Sequence, residues 1–257
     1  MQSIHRPPRY PHAWLPLFAL SQAGVVAVWM AMGWRIGLPL MLVTHLAIVW
    51  GSLYPRSALF SPVLSRVPTD AREVWLTIDD GPSDDTLAML EVLDAHDAKA
   101  TFFLVGSRAQ ARPELVRAIA SRGHGIGNHS QSHPSAWFWA LGPARMRREI
   151  DATQATLASI TGHAPRWFRG VVGMANPFVA RALHAHQLAR VAWSARGFDA
   201  VSASPPAVVE RIERKLAPGA IVLMHEGAAH GRNVETMQLL LRQLDSQGYR
   251  CVVPSDA

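Results

Sequence analysis

Between residues 74 and 253, short apolar runs alternate with helical patterns, and this alternation constrains the fold more than any other feature of the chain. The runs 74–78, 100–105, 125–128, 166–169, 188–193, 221–224 and 249–253 read as buried strands. The stretches 84–96, 113–122, 144–160, 177–186, 206–216 and 234–247 read as helices. Ser83 or Asp84 is expected to cap the first helix, and Gly123, Gly162 and Gly248 to stop three others. Such alternation predicts a parallel sheet covered by helices, and about seven repeats predict a closed or nearly closed barrel. Functional side chains in these folds collect at the C-terminal strand ends. Asp79, Asp80, His129, Arg169, Asp199 and His225 all fall at such ends.

Residues 1–55 follow a different pattern. Residues 13–34 and 36–54 are almost uncharged, and each approaches the roughly 20 apolar residues that span a bilayer. Arg35 lies between them, so a transmembrane helical hairpin is expected, with Trp14, Trp29, Trp34, Trp50 and Tyr54 as interfacial aromatics. Pro16, Pro39, Gln22 and His45 interrupt the spans. A single span plus an interfacial helix, or burial of both segments in a soluble domain, are the competing readings. A cleaved signal peptide is disfavoured because the apolar region is too long and a second one follows. Residues 56–70 then read as a linker and 71–257 as the catalytic unit. Arg6 and Arg9 before the hairpin, and Arg56 and Arg66 after it, outnumber Arg35 in its turn. The positive-inside rule therefore puts the catalytic unit on the cytoplasmic side of the inner membrane. The net charge of +6 suits anionic lipid or an anionic substrate. No basic run is interleaved with aromatics, so no nucleic-acid partner is expected. The lone Cys251 excludes an internal disulfide.

The run 74–78 leads into Asp79-Asp80-Gly81-Pro82. Two carboxylates at a strand end repel unless a cation holds them, which suggests one bound to a metal and one free as a base. A capped turn is the bland alternative. His129-Ser130-Gln131-Ser132-His133 sets two imidazoles four residues apart, on one face if the segment is helical. Two histidines and Asp80 give three protein ligands with an open position for water, the pattern of a hydrolytic metal site. The set suits Zn²⁺ first, with Co²⁺, Mn²⁺ or Ni²⁺ as alternatives. Asp79 is then left as the base, with Arg169 to hold it ionised. His225 is suited to protonate a leaving group, and Asp199 to orient its imidazole. Trp137, Phe138 and Trp139 suit stacking on a sugar, insertion into lipid, or local packing.

In order, the chain carries Thr77–Pro82, Asn128 to Pro134, Phe168-Arg169 with Gly173, Trp193 through Asp199, and Leu223-Met224-His225. Over about residues 72–254 it resembles the polysaccharide deacetylase family, the NodB homology domain of carbohydrate esterase family four. The resemblance implies a distorted (β/α) barrel of fewer than eight repeats and metal-dependent removal of an N-acetyl group from an amino sugar. It implies Asp79 as base, Asp80, His129 and His133 as metal ligands, Arg169 as the base-orienting arginine, His225 as acid and Asp199 as its tuning residue. It also implies the backbone N–H of Val172 as an oxyanion donor. Two departures stand out. Arg169-Gly170-Val171-Val172-Gly173 replaces the usual Arg-Pro-Pro-aromatic-Gly, and Ala200 replaces the usual Trp after Asp199. Both reshape the substrate pocket.

The expected activity is therefore hydrolytic removal of an acyl group, acetyl first, from an amino sugar. The resemblance favours an acylated glycan outside the membrane. The hairpin and charge bias favour a lipid-linked sugar at the cytoplasmic face, as for deformylases of related sequence. An O-acetyl esterase and an inactive glycan-binding relic are the remaining alternatives.

Overall fold

The structure is a computed structural model that describes residues 4–254. The first three residues of the expected hairpin unit and the last three of the expected catalytic unit lie outside the described residues. Helices α1 (Trp14–Met32) and α2 (Trp34–Leu53) come first. They are followed by β1 (Val63–Leu64), β2 (Glu73–Gly81), α3 (Thr86–Ala95), β3 (Ala100–Leu104), α4 (Gly106–Ala111), α5 (Pro113–Ser121) and β4 (Gly125–Asn128). Next come α6 (Pro143–Thr161), β5 (Trp167–Phe168), α7 (Val179–Ala185), β6 (Ala189–Val191) and β7 (Ala195–Arg196). The chain ends in α8 (Pro205–Glu213), β8 (Ala220–His225), α9 (Asn233–Ser246) and β9 (Arg250–Cys251).

Among the described residues the strands form one curled sheet in the order β1-β6-β5-β4-β3-β2-β8-β7, with β9 also paired to β2. Every strand pair is parallel, as the alternation predicts. The result is a distorted (β/α) half-barrel with helices outside, preceded by two apolar helices.

Strand periodicity divides the core. On β2, Val74, Leu76 and Ile78 join the large cluster shared with the helices, while Trp75 joins Phe103, Trp167, Val191, Trp193, Ile221 and Leu223 inside the barrel. Alternation then carries the inward column Trp75, Thr77, Asp79 up to the strand end. On β4 the inward positions are Gly125 and Gly127. A Cβ on Gly127 would lie 2.5 Å from the Phe103 ring, so the glycine makes room for it. His129 follows with the same parity.

Several expectations need correction. Residues 56–70 are not a plain linker: β1 pairs with β6, and Arg66 bridges to Ala220. The expected strand 188–193 is short because the chain changes sheet end there. The N–H of Ala192 donates to Leu64 at 2.8 Å and that of Ser194 to Ile221 at 3.0 Å, so Trp193 spans the barrel's opening. Helix α3 starts after Asp85, whose side chain makes no cap; the Ser83 hydroxyl accepts the Asp85 N–H at 3.2 Å, outside the helix, and donates to Glu226 at 2.7 Å. Gly162 does end α6, in the left-handed conformation only glycine adopts freely.

Helices α1 and α2 are long and apolar enough to cross a membrane. They lie side by side, with Gln22 Nε2 donating to Thr44 Oγ1 at 3.1 Å between them. Their turn is at Gly33, so Arg35 sits in the first turn of α2. The hairpin base touches the barrel. Trp14 meets Phe178 edge-on, with ring centroids 5.8 Å apart, and the Ser52 carbonyl accepts the N–H of Ala175 at 2.9 Å.

Candidate active site

Neighbouring residues on a strand face opposite sides, so Asp79 and Asp80 should not share a site. A register shift between Asp79 and Gly81 resolves this. Asp80 is the bulged residue, with φ of 72°, and the bulge turns its carboxylate toward His129, which Asp79 also faces, and toward His133. Asp79 is almost fully buried.

His129 and His133 are not on a helix. Residues 129–133 form a loop, with positive φ at Ser130 (68°) and His133 (50°). Glu149 on α6 holds this loop, a role no sequence signal indicated. Its carboxylate accepts the N–H of Gln131 at 3.0 Å, the N–H of Ser132 at 2.8 Å and the Ser132 hydroxyl at 2.6 Å. Asn128 Oδ1 accepts the Ser130 N–H at 3.0 Å.

The ligand atoms of Asp80, His129 and His133 lie within 4.8 Å of one another. Their chemistry fits a cation. His129 Nδ1 is 2.8 Å from the Arg169 carbonyl, which only accepts, so Nδ1 carries the proton. In the neutral ring Nε2 is then a lone pair, aimed at Asp80 Oδ1 from 3.4 Å. His133 Nε2 is 2.8 Å from the same oxygen. Asp80 Oδ1 is buried without a hydrogen bond. A lone pair facing a carboxylate oxygen needs a positive charge between them. Burial alone would raise the Asp80 pKa; where the two imidazoles are protonated, their donation and charge hold it well below the ordinary carboxylate range.

Arg169 is the opposite of a surface cation: it is fully buried. Its Nη1 donates to Asp79 Oδ1 at 2.7 Å and to Thr77 Oγ1 at 2.8 Å, and Nη2 donates to the Ala192 carbonyl at 3.0 Å. The guanidinium lies 4.3 Å from the Phe103 ring centroid. Burial lowers the Arg169 pKa, with Asp79 opposing it, so the pair stands or falls together.

At the end of β8, His225 Nδ1 is 2.9 Å from Asp199 Oδ1, and its backbone N–H donates to Asp199 Oδ2 at 2.6 Å. Burial pushes the His225 pKa down. Asp199, with help from Asp79 and Asp80, outweighs it and raises the value overall. Val172 sits in a tight turn at φ 53° and ψ 21°, a conformation that strains a β-branched residue. Glu226, next to His225, is buried and binds Ser83 Oγ at 2.7 Å and the Thr86 hydroxyl, tying the loop after Asp80 to β8. It too escaped sequence reasoning. Of the three loop aromatics, Phe138 is buried against Phe168, at 6.4 Å between centroids, while Trp137 is exposed.

The family profile "Polysaccharide deacetylase" matches residues 66–191. A peptidoglycan-N-acetylglucosamine deacetylase of Bacillus cereus is 31% identical over 188 residues, covering 72% of this chain and 68% of the relative. Among solved structures, the Bc1960 peptidoglycan N-acetylglucosamine deacetylase superposes with a TM-score of 0.69 at 30% identity, over 74% of this chain and 89% of the other. A pseudoenzyme of carbohydrate esterase family four from Bacillus anthracis superposes with a TM-score of 0.67 at 28% identity, over 74% of this chain and 66% of the other. The chain belongs to the polysaccharide deacetylase family, and as a protein of that type it is a hydrolase acting on carbon–nitrogen bonds.

Proposed function

We propose that the protein removes the N-acetyl group from an amino sugar carried in a glycan or glycoconjugate. Residues 71–257 are the catalytic unit in this reading and residues 1–55 its membrane anchor. Asp80, His129 and His133 would hold one divalent transition metal, Zn²⁺ in preference to Co²⁺, Mn²⁺ or Ni²⁺. Bound there, such an ion supplies Lewis acidity that acidifies a water and polarises the acyl oxygen. Asp79, oriented by Arg169, takes the proton of the attacking water as the water oxygen bonds to the acyl carbon. The Val172 N–H stabilises the oxyanion. As the carbon–nitrogen bond breaks, His225 gives its proton to the departing amine, and Asp199 stabilises the imidazolium until then. The observation that carries this reading is the Arg169-held Asp79 on one side of the three candidate ligands and the Asp199-held His225 on the strand beside it. A complete set of base, candidate ligands and acid supports turnover.

The test is acetate release from N-acetylated chitooligosaccharides by the full chain in detergent. Asp79→Asn is expected to lose on the order of 10²–10⁴-fold in kcat while retaining the metal. Activity equal to the parent's would remove Asp79 from the mechanism. The charge bias around the hairpin supports a cytoplasmic catalytic unit, and a reporter fused at the C-terminus reads its side directly.

A further inference from the structure

Arg190, in the middle of β6, is only 2% exposed, and the reaction makes no use of it. Ala189 and Val191 face the barrel interior with Trp75 and Trp193, so strand alternation turns Arg190 to the outer face. There it stands beside Val63 of β1, under the segment that follows the hairpin. Its Nη2 donates to the Ser57 carbonyl, while Nε and Nη1 are buried with no hydrogen-bond partner among the described residues. The other fully buried arginine, Arg169, has Asp79 as its counter-ion. Burial pushes the Arg190 pKa down to about 10 and no carboxylate opposes it, so the group is a cation at neutral pH without a counter-charge.

Arg190 lines a hollow of about 400 Å³ together with Arg6 and Arg66, and none of the lining residues is acidic. A second hollow, of about 720 Å³, shares Arg6, Ala58 and Pro62 with the first and runs on to Tyr10 and Ala13, at the foot of α1. Ser61 lines it, and the Ser61 hydroxyl is also buried without a partner. A guanidinium only donates, so its unmet N–H groups call for an acceptor, and an unpaired buried charge calls for an anion. The walls come from both ends of the hairpin, Arg6 before α1 and Ala58 and Pro62 after α2. With α1 and α2 as the membrane anchor proposed above, this is the level of the lipid headgroups.

We infer that Arg190 and its hollow bind a phosphate group, carried by a phospholipid headgroup or free in solution. Arginine forks match phosphate oxygens, and three arginines around one hollow suit a dianion better than a single carboxylate. The ligand is no part of the reaction, because Arg190 faces away from the inward column that ends in Asp79. Bound there, it ties the segments on both sides of the hairpin to β6 and so sets the barrel against the bilayer.

The test uses the full chain in neutral detergent micelles, with ionic strength held constant by chloride. Inorganic phosphate should raise the melting midpoint by about 2 °C or more, and acetate should not. In calorimetric titrations, dihexanoyl phosphatidic acid should bind about tenfold or more tightly than dihexanoylglycerol, which lacks the phosphate. A response to either phosphate probe supports the site: the lipid alone assigns it to headgroups, inorganic phosphate alone to a free anion, and both to any phosphate. Arg190→Gln should erase the response. Since it removes an uncompensated buried charge, its midpoint without phosphate should equal or exceed the parent's. Arg66→Gln, at an exposed position, should weaken the response in protein whose circular dichroism matches the parent's. No response to either probe, a response that acetate reproduces, or one that survives Arg190→Gln overturns the inference. An Arg190→Gln protein that melts earlier than the parent, with an Arg66→Gln response equal to the parent's, would make Arg190 a pin for Ser57 and overturn it too. No arm reads hydrolysis, so the result stands apart from the deacylase reading.

Discussion

At the residue scale, the site depends on how each charge is held. His225 owes its raised pKa to Asp199, because burial by itself pushes the imidazole down. An acid must be protonated to act, so activity is present below the His225 pKa and lost as pH rises through it. Asp199→Asn removes the stabilising charge and leaves the burial, so the alkaline limb of kcat/KM should move to lower pH. A pH–rate profile of the two proteins checks this, and an unmoved limb would separate Asp199 from the acid. Glu149 acts at one remove, through the loop that presents both histidines. Glu149→Gln keeps the size but weakens three accepted hydrogen bonds. We expect roughly 10–100-fold weaker metal binding, as for other outer-shell partners, measured by competition with a chromogenic chelator. The candidate residues were legible because carboxylates, imidazoles and a guanidinium at strand ends have few bland uses together. Glu149 and Glu226 were not, because an acid on a helix or after a strand looks the same whether it binds backbone N–H groups or water.

At the element scale, parity and one bulge do most of the positioning. Strand alternation turns Asp79, His129 and His225 inward, and this was readable from the apolar runs. The bulge at Asp80 was not, since it arises from the pairing of β2 with β3 and leaves no local mark except the Gly-Pro that follows. The same limit applies to the loop 129–133. Histidines four apart suggested a helix, but tertiary bonds from Glu149 and Asn128 select a positive-φ path instead. Helix α4 also went unseen, as six residues are too few for a 3.6-residue period to show. The inner glycines give an element-level prediction. Phe103 is pinned between Gly127 and the guanidinium of Arg169, so its ring has nowhere to go. Gly127→Ala should overpack the barrel and lower stability by about 1–3 kcal/mol. Thermal melting of the variant measures this, and an unchanged midpoint would mean that the lumen is looser than the ring contact indicates.

At the scale of the whole molecule, the barrel and the hairpin share a boundary. The cluster inside the sheet takes Ile4 from the segment before the hairpin, and the cluster around Phe138, Phe168 and Phe60 borrows Trp14 and Ile48 from the hairpin itself. The rest of the hairpin faces outward: Leu17, Leu20, Val43 and Leu46 are each more than 60% exposed. At about 1.5 Å rise per residue, 19 and 20 residues make helices of roughly 28–30 Å, close to the thickness of a hydrocarbon core. Trp14, Trp50 and Tyr54 then fall near the barrel, and Trp29 and Trp34 near the far turn, as two interfacial belts require. Gln22 and Thr44, which weaken the spans as separate helices, satisfy each other once the helices pair. The apolar side chains give no such pairing to water, so an electrostatic attachment alone does not account for them. The full chain should therefore stay in the membrane pellet through washes with 1 M salt, a concentration that shortens the Debye length to about 3 Å, and should be released by detergent. Release by salt alone would mean that the cations, rather than the hairpin, hold the protein to the bilayer. In that case the exposed apolar faces of α1 and α2 would need another protein surface to cover them.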